Sequence, residues 1–210
     1  MSYTVKLNLS GLAPAQAQAP ARSYDLFATR IWQSHLETLT VHHAAWEARV
    51  NELRALNPEP AGRTVRNGWN SDDFTLLDDP VFAALNGEVR AQTRSALSQM
   101  GQADLSFAVQ SWINLHERGG FNFAHMHDGC YLSGCYYLKV PEGSGSLVFR
   151  DPRPGTMHGL FKGGGVNAYK DVKLKPYAGL LVLFPSWLEH FVEPHDSDES
   201  RIVIAFNALP

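Results

Sequence analysis

Two histidines two residues apart, His125 and His127, stand in the stretch Asn122-Phe123-Ala124-His125-Met126-His127-Asp128. A strongly β-prone run, Tyr131-Leu132-Ser133-Gly134-Cys135-Tyr136-Tyr137-Leu138, follows at once. In an extended strand, residues i and i+2 point to the same face, so both imidazoles can aim at one point. That is what a metal ion needs, and neutral imidazole suits iron, zinc, copper and nickel. Two side chains hold a metal poorly. The third ligand expected is His190, at the end of Leu183-Phe184-Pro185-Ser186-Trp187-Leu188-Glu189-His190. With nine histidines in the chain, chance pairs occur. His42-His43 is one: it lies in a helical stretch, where adjacent residues do not share a face.

A charged residue joins this set. Arg201 opens the apolar run Arg201-Ile202-Val203-Ile204-Ala205-Phe206-Asn207. An arginine entering such a strand is costly unless paired, and its planar fork matches a carboxylate in bidentate fashion. Taken alone, Arg201 reads first as a surface ion pair with Asp198 or Glu199. Beside a three-ligand metal it points to a bound dicarboxylate, one end on the metal and the other on the guanidinium.

These residues need a frame. Leu26 to Trp32 reads as a strand. Apolar positions Leu36, Leu39, Ala44, Ala45, Ala48 and Leu53 recur at helical spacing over residues 35–56, and Asn57-Pro58-Glu59-Pro60 closes that helix. Residues 67–71 read as a loop. Asp79-Pro80 starts a second helix whose inner face is Phe82, Leu85, Val89, Thr93, Ala96, Leu97 and Met100, and Gly101 ends it. Strands are expected over residues 106–115, 131–140, 146–150, 179–184 and 201–207, with turns at Gly119-Gly120, at 141–145 and at 152–155. Helices followed by a run of short strands imply a mainly β protein with supporting N-terminal helices, most naturally a double-sheet jelly roll. Before it, residues 1–25 read as an arm and linker. Tyr3, Val5, Leu7 and Leu9 alternate like a strand, and this arm is expected to dock on a sheet edge, in the same subunit or across a homodimer. Residues 26–210 read as one domain.

Composition narrows the partners. The chain has 210 residues, enough for one substantial core, and a formal net charge of −3. It has no basic footprint for nucleic acid and no apolar run long enough to span a bilayer. The Ala-rich start lacks the apolar stretch of a signal peptide. Cys130 and Cys135 would lie roughly 16 Å apart on an extended chain, beyond disulfide reach. A reduced, cytoplasmic protein is the simplest reading. Gly163-Gly164-Gly165 lacks the Lys-Ser/Thr of a phosphate loop and reads as a flexible loop.

The sequence resembles the 2-oxoglutarate/Fe(II)-dependent oxygenases of the phage and bacterial type over about residues 26–207. The resemblance rests on Asn122, the His125-Met126-His127 pair, Leu132 to Leu138, Phe149-Arg150-Asp151-Pro152-Arg153, Leu183 to His190 and Arg201 to Asn207. Leu26-Phe27-Ala28-Thr29 and Gly68-Trp69-Asn70-Ser71 also match. It implies a double-stranded β-helix (jelly roll), Fe(II), and 2-oxoglutarate as co-substrate. The distal histidine ligand becomes His190, and the arginine for the far carboxylate becomes Arg201. It also implies oxidative decarboxylation of 2-oxoglutarate to succinate and CO2, coupled to hydroxylation of a substrate C–H bond. No catalytic residue beyond the metal ligands is implied.

Two positions depart from the wider superfamily. His127 stands where a carboxylate ligand is usual, so the site uses three histidines or takes Asp128 through a bulge. Val203 stands where serine often supplies a hydroxyl to 2-oxoglutarate, so Tyr137 or Asn114 is expected to help. Two other readings remain: a three-histidine cupin-type enzyme that needs no 2-oxoglutarate, and a non-enzymatic metal-binding β-barrel. The substrate, a small molecule or a peptide, would be chosen by the loop from Gly155 to Asp171, with Met157, His158, Phe161 and Tyr169 over the mouth.

Overall fold

A computed structural model describes residues 27–155 and 170–210. The expected arm strand and linker, the triple-glycine loop and most of the loop expected over the mouth lie outside the described residues.

Among the described residues, nine antiparallel strands form one curled sheet: β1 (Trp32–His35), β2 (Val65–Asn70), β3 (Ala108–His125), β4 (Leu132–Lys139), β5 (Leu147–Arg150), β6 (Asp171–Leu174), β7 (Leu180–Pro185), β8 (His190–Val192) and β9 (Arg201–Leu209). Their order is β1-β7-β4-β9-β3-β8-β5-β6, with β2 on β3. Two helices, α1 (His43–Leu56) and α2 (Ala83–Gln99), complete the architecture. The mainly β class with supporting N-terminal helices is thus the one observed.

The central strands of the sheet are buried on both faces, and β9 shows how the residues are divided. Ile202, Ile204, Phe206 and Ala208 pack with Trp46, Val50, Leu85 and Val89 of the helices. Val203, between them, joins Tyr137, Val182 and Phe184 inside the curl. Burial on both sides makes β4, β7 and β9 near-continuous apolar runs. α2 is preceded by a short 3-10 turn, Pro80–Phe82, capped by the Asp79 carboxylate, which accepts from the Val81 amide at 3.0 Å.

Several boundaries differ from the sequence expectation. The first described strand is Trp32–His35, later than 26–32. Residues 37–42 form a 3-10 turn before α1, so that helix is shorter than 35–56. Residues 67–70, expected in a loop, belong to β2, where Trp69 is buried against the core. Met100 lies beyond α2 and is exposed. The largest difference is at Gly119-Gly120, which makes no hairpin. Both lie within β3, Gly119 at φ +77°, where the register to β2 shifts between Arg66 and Gly68. Glycine permits a bulge here, and the strand bends and continues. Its first half pairs with β9 and its last residues with β8.

The tightest backbone approach is at Gly134 in β4. A Cβ there would lie 2.4 Å from Phe206 Cζ and 2.6 Å from the Val182 carbonyl oxygen. Gly134→Ala is expected to cost about 1–3 kcal/mol by overpacking, read as a lower denaturant midpoint at unchanged slope.

Candidate metal and diacid site

The bend in β3 delivers the first histidine. His125 is the last residue of β3 and is paired directly with His190, the first residue of β8. His127 lies two residues past the strand, but its backbone amide donates to the Ser186 carbonyl at 3.0 Å, which extends the pairing beyond the strand end. His190 does not end the strand that precedes it. The turn after Pro185 intervenes, and His190 opens a strand of its own. The three ring centroids are 4.3 Å (His125–His190), 5.0 Å (His125–His127) and 5.3 Å (His127–His190) apart. One nitrogen from each lies within 4.8 Å of the others.

Hydrogen bonds aim the rings. His125 Nδ1 is 2.7 Å from the Phe123 carbonyl oxygen, and His190 Nδ1 is 2.9 Å from that of Leu188. A carbonyl can only accept, so both rings carry their proton on Nδ1 and keep the Nε2 lone pair for a metal. His127 Nδ1 faces the carboxamide of Asn207, with Nδ2 at 3.4 Å, and Asn207 Oδ1 is 2.7 Å from Ser133 Oγ. Exchanging the amide's oxygen and nitrogen gives His127 the same arrangement as its neighbours, with Nδ1–H donating to Asn207 Oδ1, and still satisfies the serine. Burial, then mutual repulsion, holds His190 down at about 3 and His127 at about 4; His125 is also lowered by burial. Three neutral, convergent imidazoles without a carboxylate suit a divalent metal such as Fe(II). Asp128 is exposed and does not belong to this group, which is made of three histidines among the described residues.

The cavity under the histidines leads to Arg201, which also lines it. Arg201 is 1% exposed. Its Nη1 donates to the Gly145 carbonyl at 2.7 Å, while Nε and Nη2 are buried without a partner among the described residues. The alternative of a surface ion pair does not hold: Arg201 is buried, Asp198 pairs with Arg118, and Glu199 lies beside Lys139. Tyr137 and Asn114 also face this cavity. Burial keeps the Tyr137 hydroxyl well above its ordinary range and raises the Cys135 thiol to about 12, so both remain protonated and neither balances the guanidinium. A buried cation without a counter-ion costs several kcal/mol. The feature fits a ligand carboxylate, as the donor set of Arg201 fits its two oxygens.

Further polar residues were not singled out by the sequence reading. His116 sits opposite Arg201 across β3 and β9, and Asn207 holds His127. Their signal in the sequence is inward alternation on β3 and β9, visible only once the faces are known. Outside, the cavity meets a groove of about 400 Å³ lined by Arg63, Phe74, Trp112, Met126 and Asp128. The Arg63 guanidinium lies 4.0 Å from the Phe74 ring centroid. His42 and His43 are remote from the site: His42 stacks on Trp46, and His43 Nε2 is 2.7 Å from the Tyr136 hydroxyl.

The curled sheet and its three-histidine, one-arginine cavity define a non-haem metal oxygenase type of site. Residues 110–207 match the family described as "Putative 2OG-Fe(II) oxygenase". The matched segment, somewhat under half of the chain, carries His125, His127, His190 and Arg201 together, and it supports a 2OG-Fe(II) oxygenase. Among solved structures, a Pseudomonas putida prolyl-4-hydroxylase is similar at 20% identity and a TM-score of 0.62, covering 86% of this chain and 92% of its own. HygX from Streptomyces hygroscopicus, with nickel and 2-oxoglutarate bound, is similar at 13% identity and a TM-score of 0.61, covering 87% and 83%. A Trichoplax adhaerens prolyl hydroxylase, in complex with a hypoxia inducible factor peptide fragment, gives 15% identity and a TM-score of 0.59, covering 85% and 83%. These likenesses establish the double-stranded β-helix fold. No curated protein matches the chain.

Two outcomes follow from this geometry. Asn207→Leu should weaken Ni(II) or Zn(II) binding roughly ten- to a hundredfold by releasing His127, measured by calorimetric titration. His116, held down at about 3 by burial and by Arg201, stays neutral in the fold, while an unfolded histidine takes its proton near 6.5. Below pH 6.5 the unfolded state therefore binds the extra proton. The stability of the metal-free protein should fall as the pH drops from 6.5 towards 3, by about 1.4 kcal/mol per pH unit for such a group. Denaturant midpoints at about pH 8, 6.5 and 5 check this, and a midpoint that holds level down to pH 5 would contradict it.

Proposed function

We propose that the protein is an Fe(II)- and 2-oxoglutarate-dependent dioxygenase that hydroxylates a small molecule or peptide. In this reading His125, His127 and His190 hold the metal, and Arg201, with Tyr137 and Asn114, holds 2-oxoglutarate. Bound together, metal and co-substrate supply O2-dependent oxidation, in which 2-oxoglutarate becomes succinate and CO2 and one oxygen atom enters a substrate C–H bond. The chain's own residues do the rest. The Nδ1 hydrogen bonds fix the imidazoles, Arg201 orients the diacid, and Phe184 and Phe149 keep the ring of His190 in an apolar wall.

One observation carries the reading. A guanidinium, 1% exposed and without a carboxylate partner among the described residues, lines the same cavity as three neutral imidazoles. A cupin-type enzyme without 2-oxoglutarate would have no use for that charge. A structural zinc site would close its coordination with a fourth protein ligand, and the described residues offer three. The nickel and 2-oxoglutarate bound by HygX support the assignment of the co-substrate. Substrate would lie in the groove outside, with Trp112 5.8 Å from His127 as its inner wall. Both cysteines are free thiols, which supports a cytoplasmic location.

The test is succinate formation from 2-oxoglutarate with Fe(II) under air, beside calorimetric binding of 2-oxoglutarate with Ni(II) in the site. Arg201→Met should abolish detectable 2-oxoglutarate binding and leave metal binding within a few-fold of wild type. Activity that survives this substitution would favour the cupin-type reading, and a wild type that fails to bind 2-oxoglutarate would refute the proposal.

A further inference from the structure

His116 is 1% exposed and lines the cavity that Arg201 enters. The two residues face each other directly in the antiparallel pairing of β3 with β9. Such partners carry their side chains on one face, with Cβ atoms about 4.5–5.5 Å apart. Three buried polar atoms here lack a partner among the described residues: Nε and Nη2 of Arg201 and Nδ1 of His116. Native proteins rarely leave such atoms unpaired, and three on facing residues in one cavity point to a ligand. Val203, two residues along β9, offers no polar atom to such a ligand.

The other side of the imidazole is built to choose which nitrogen carries the proton. His116 Nε2 is 2.6 Å from Asn122 Oδ1, and Asn122 Nδ2 donates to Thr64 Oγ1 at 2.9 Å. In this arrangement the ring carries its proton on Nε2. Its bare Nδ1 lone pair sits comfortably beside a guanidinium but cannot donate to a carboxylate. A half-turn of the Asn122 carboxamide reverses every bond. Nδ2 then donates to His116 Nε2, and the Thr64 hydroxyl, able to donate or accept, donates to Oδ1. No hydrogen bond is lost, and Nδ1 carries the proton. The ring stays neutral throughout: one proton leaves Nε2 for water and one arrives at Nδ1 from water.

We propose that His116 is a further donor to the far carboxylate of 2-oxoglutarate, beside Arg201, Tyr137 and Asn114, and that the reversible Asn122–Thr64 pair sets its tautomer. This rests on the 2-oxoglutarate reading above. Together the two residues offer three donors on one side of the cavity, Nε and Nη2 of the guanidinium and Nδ1–H of the imidazole. The position also explains why a histidine is buried here with one nitrogen so carefully satisfied and the other left open.

The experiment uses the full chain with Zn(II) in the site, which permits binding without turnover. Long-range 15N–1H correlation of the His116 ring should place the proton on Nε2 without the diacid and on Nδ1 with 2-oxoglutarate bound. By calorimetry, His116→Leu should weaken 2-oxoglutarate binding roughly ten- to a hundredfold. Its affinity for 2-oxovalerate, which lacks the far carboxylate, should stay within about twofold. His116→Asn, whose amide nitrogen can reach the same place, should restore most of the loss. A proton that remains on Nε2 with 2-oxoglutarate bound overturns the proposal, as does equal weakening of both ligands. The tautomer measurement on the wild type decides the matter even if a variant fails to fold. If Arg201→Met loses the diacid while His116→Leu keeps it, only the role of His116 falls. If the wild type binds no 2-oxoglutarate at all, the oxygenase reading falls with it.

Discussion

The antiparallel pairing of His125 with His190 is the contact on which the site depends. It brings together two residues from distant parts of the chain, and it requires β3 to reach β8 after pairing with β9. The strand does so by bending at Gly119-Gly120. A side chain at Gly120 would put its Cβ 2.5 Å from the Asn67 carbonyl oxygen. The helices stand behind this arrangement as a rigid backing. Their apolar faces fill the outer side of β4, β7 and β9, and the inner side encloses the cavity lined by the three histidines and Arg201.

The inner side is unusual in what it buries. Most of its wall is apolar, which strips water from the histidines and keeps them neutral at physiological pH. The same wall strips water from Arg201, which cannot give up its proton and so stays charged. Dry surroundings therefore serve two opposite ends. They prepare the imidazoles to donate lone pairs, and they leave a cation that gains greatly from an anion. A diacid with one end on the metal answers both needs at once. Tyr137 and Cys135, protonated and close to the guanidinium, add polarity without adding the charge that would compete with such a ligand.

Much of this was legible in the residues. Turn chemistry and apolar periodicity located α2, β4, β5, β7 and β9 to within a few residues, and the end but not the start of α1. The spacing of His125 and His127, the turn before His190 and the arginine opening an apolar run named the side chains that the fold brings to one cavity. What failed did so for local reasons. Val65–Asn70 contains Asn67, Gly68 and Asn70, residues of turns, and reads as a loop; its pairing with β3 makes it a strand. Gly119-Gly120 has the composition of a hairpin and forms a bulge instead. His190–Val192 is too short to show any period, and Asp171–Leu174 is largely exposed, without the apolar face that would reveal it.

The sequence by itself determined the donor types: three imidazoles, one guanidinium and no carboxylate at the usual place beside His125. It also determined the binary pattern that makes a double-layered β structure with helices behind it. Tertiary structure decided everything that depends on register. It set which nitrogen of each histidine is free, because the Phe123 and Leu188 carbonyls fix the tautomers. It denied Arg201 its nearby acidic neighbours, because Asp198 is turned to Arg118. It placed His116 opposite Arg201 and set Asn122 and Thr64 behind it. Side-chain chemistry is written residue by residue, whereas a strand's face and partner are set by pairing across long stretches of chain, where a slip of one residue would turn every side chain to the other side.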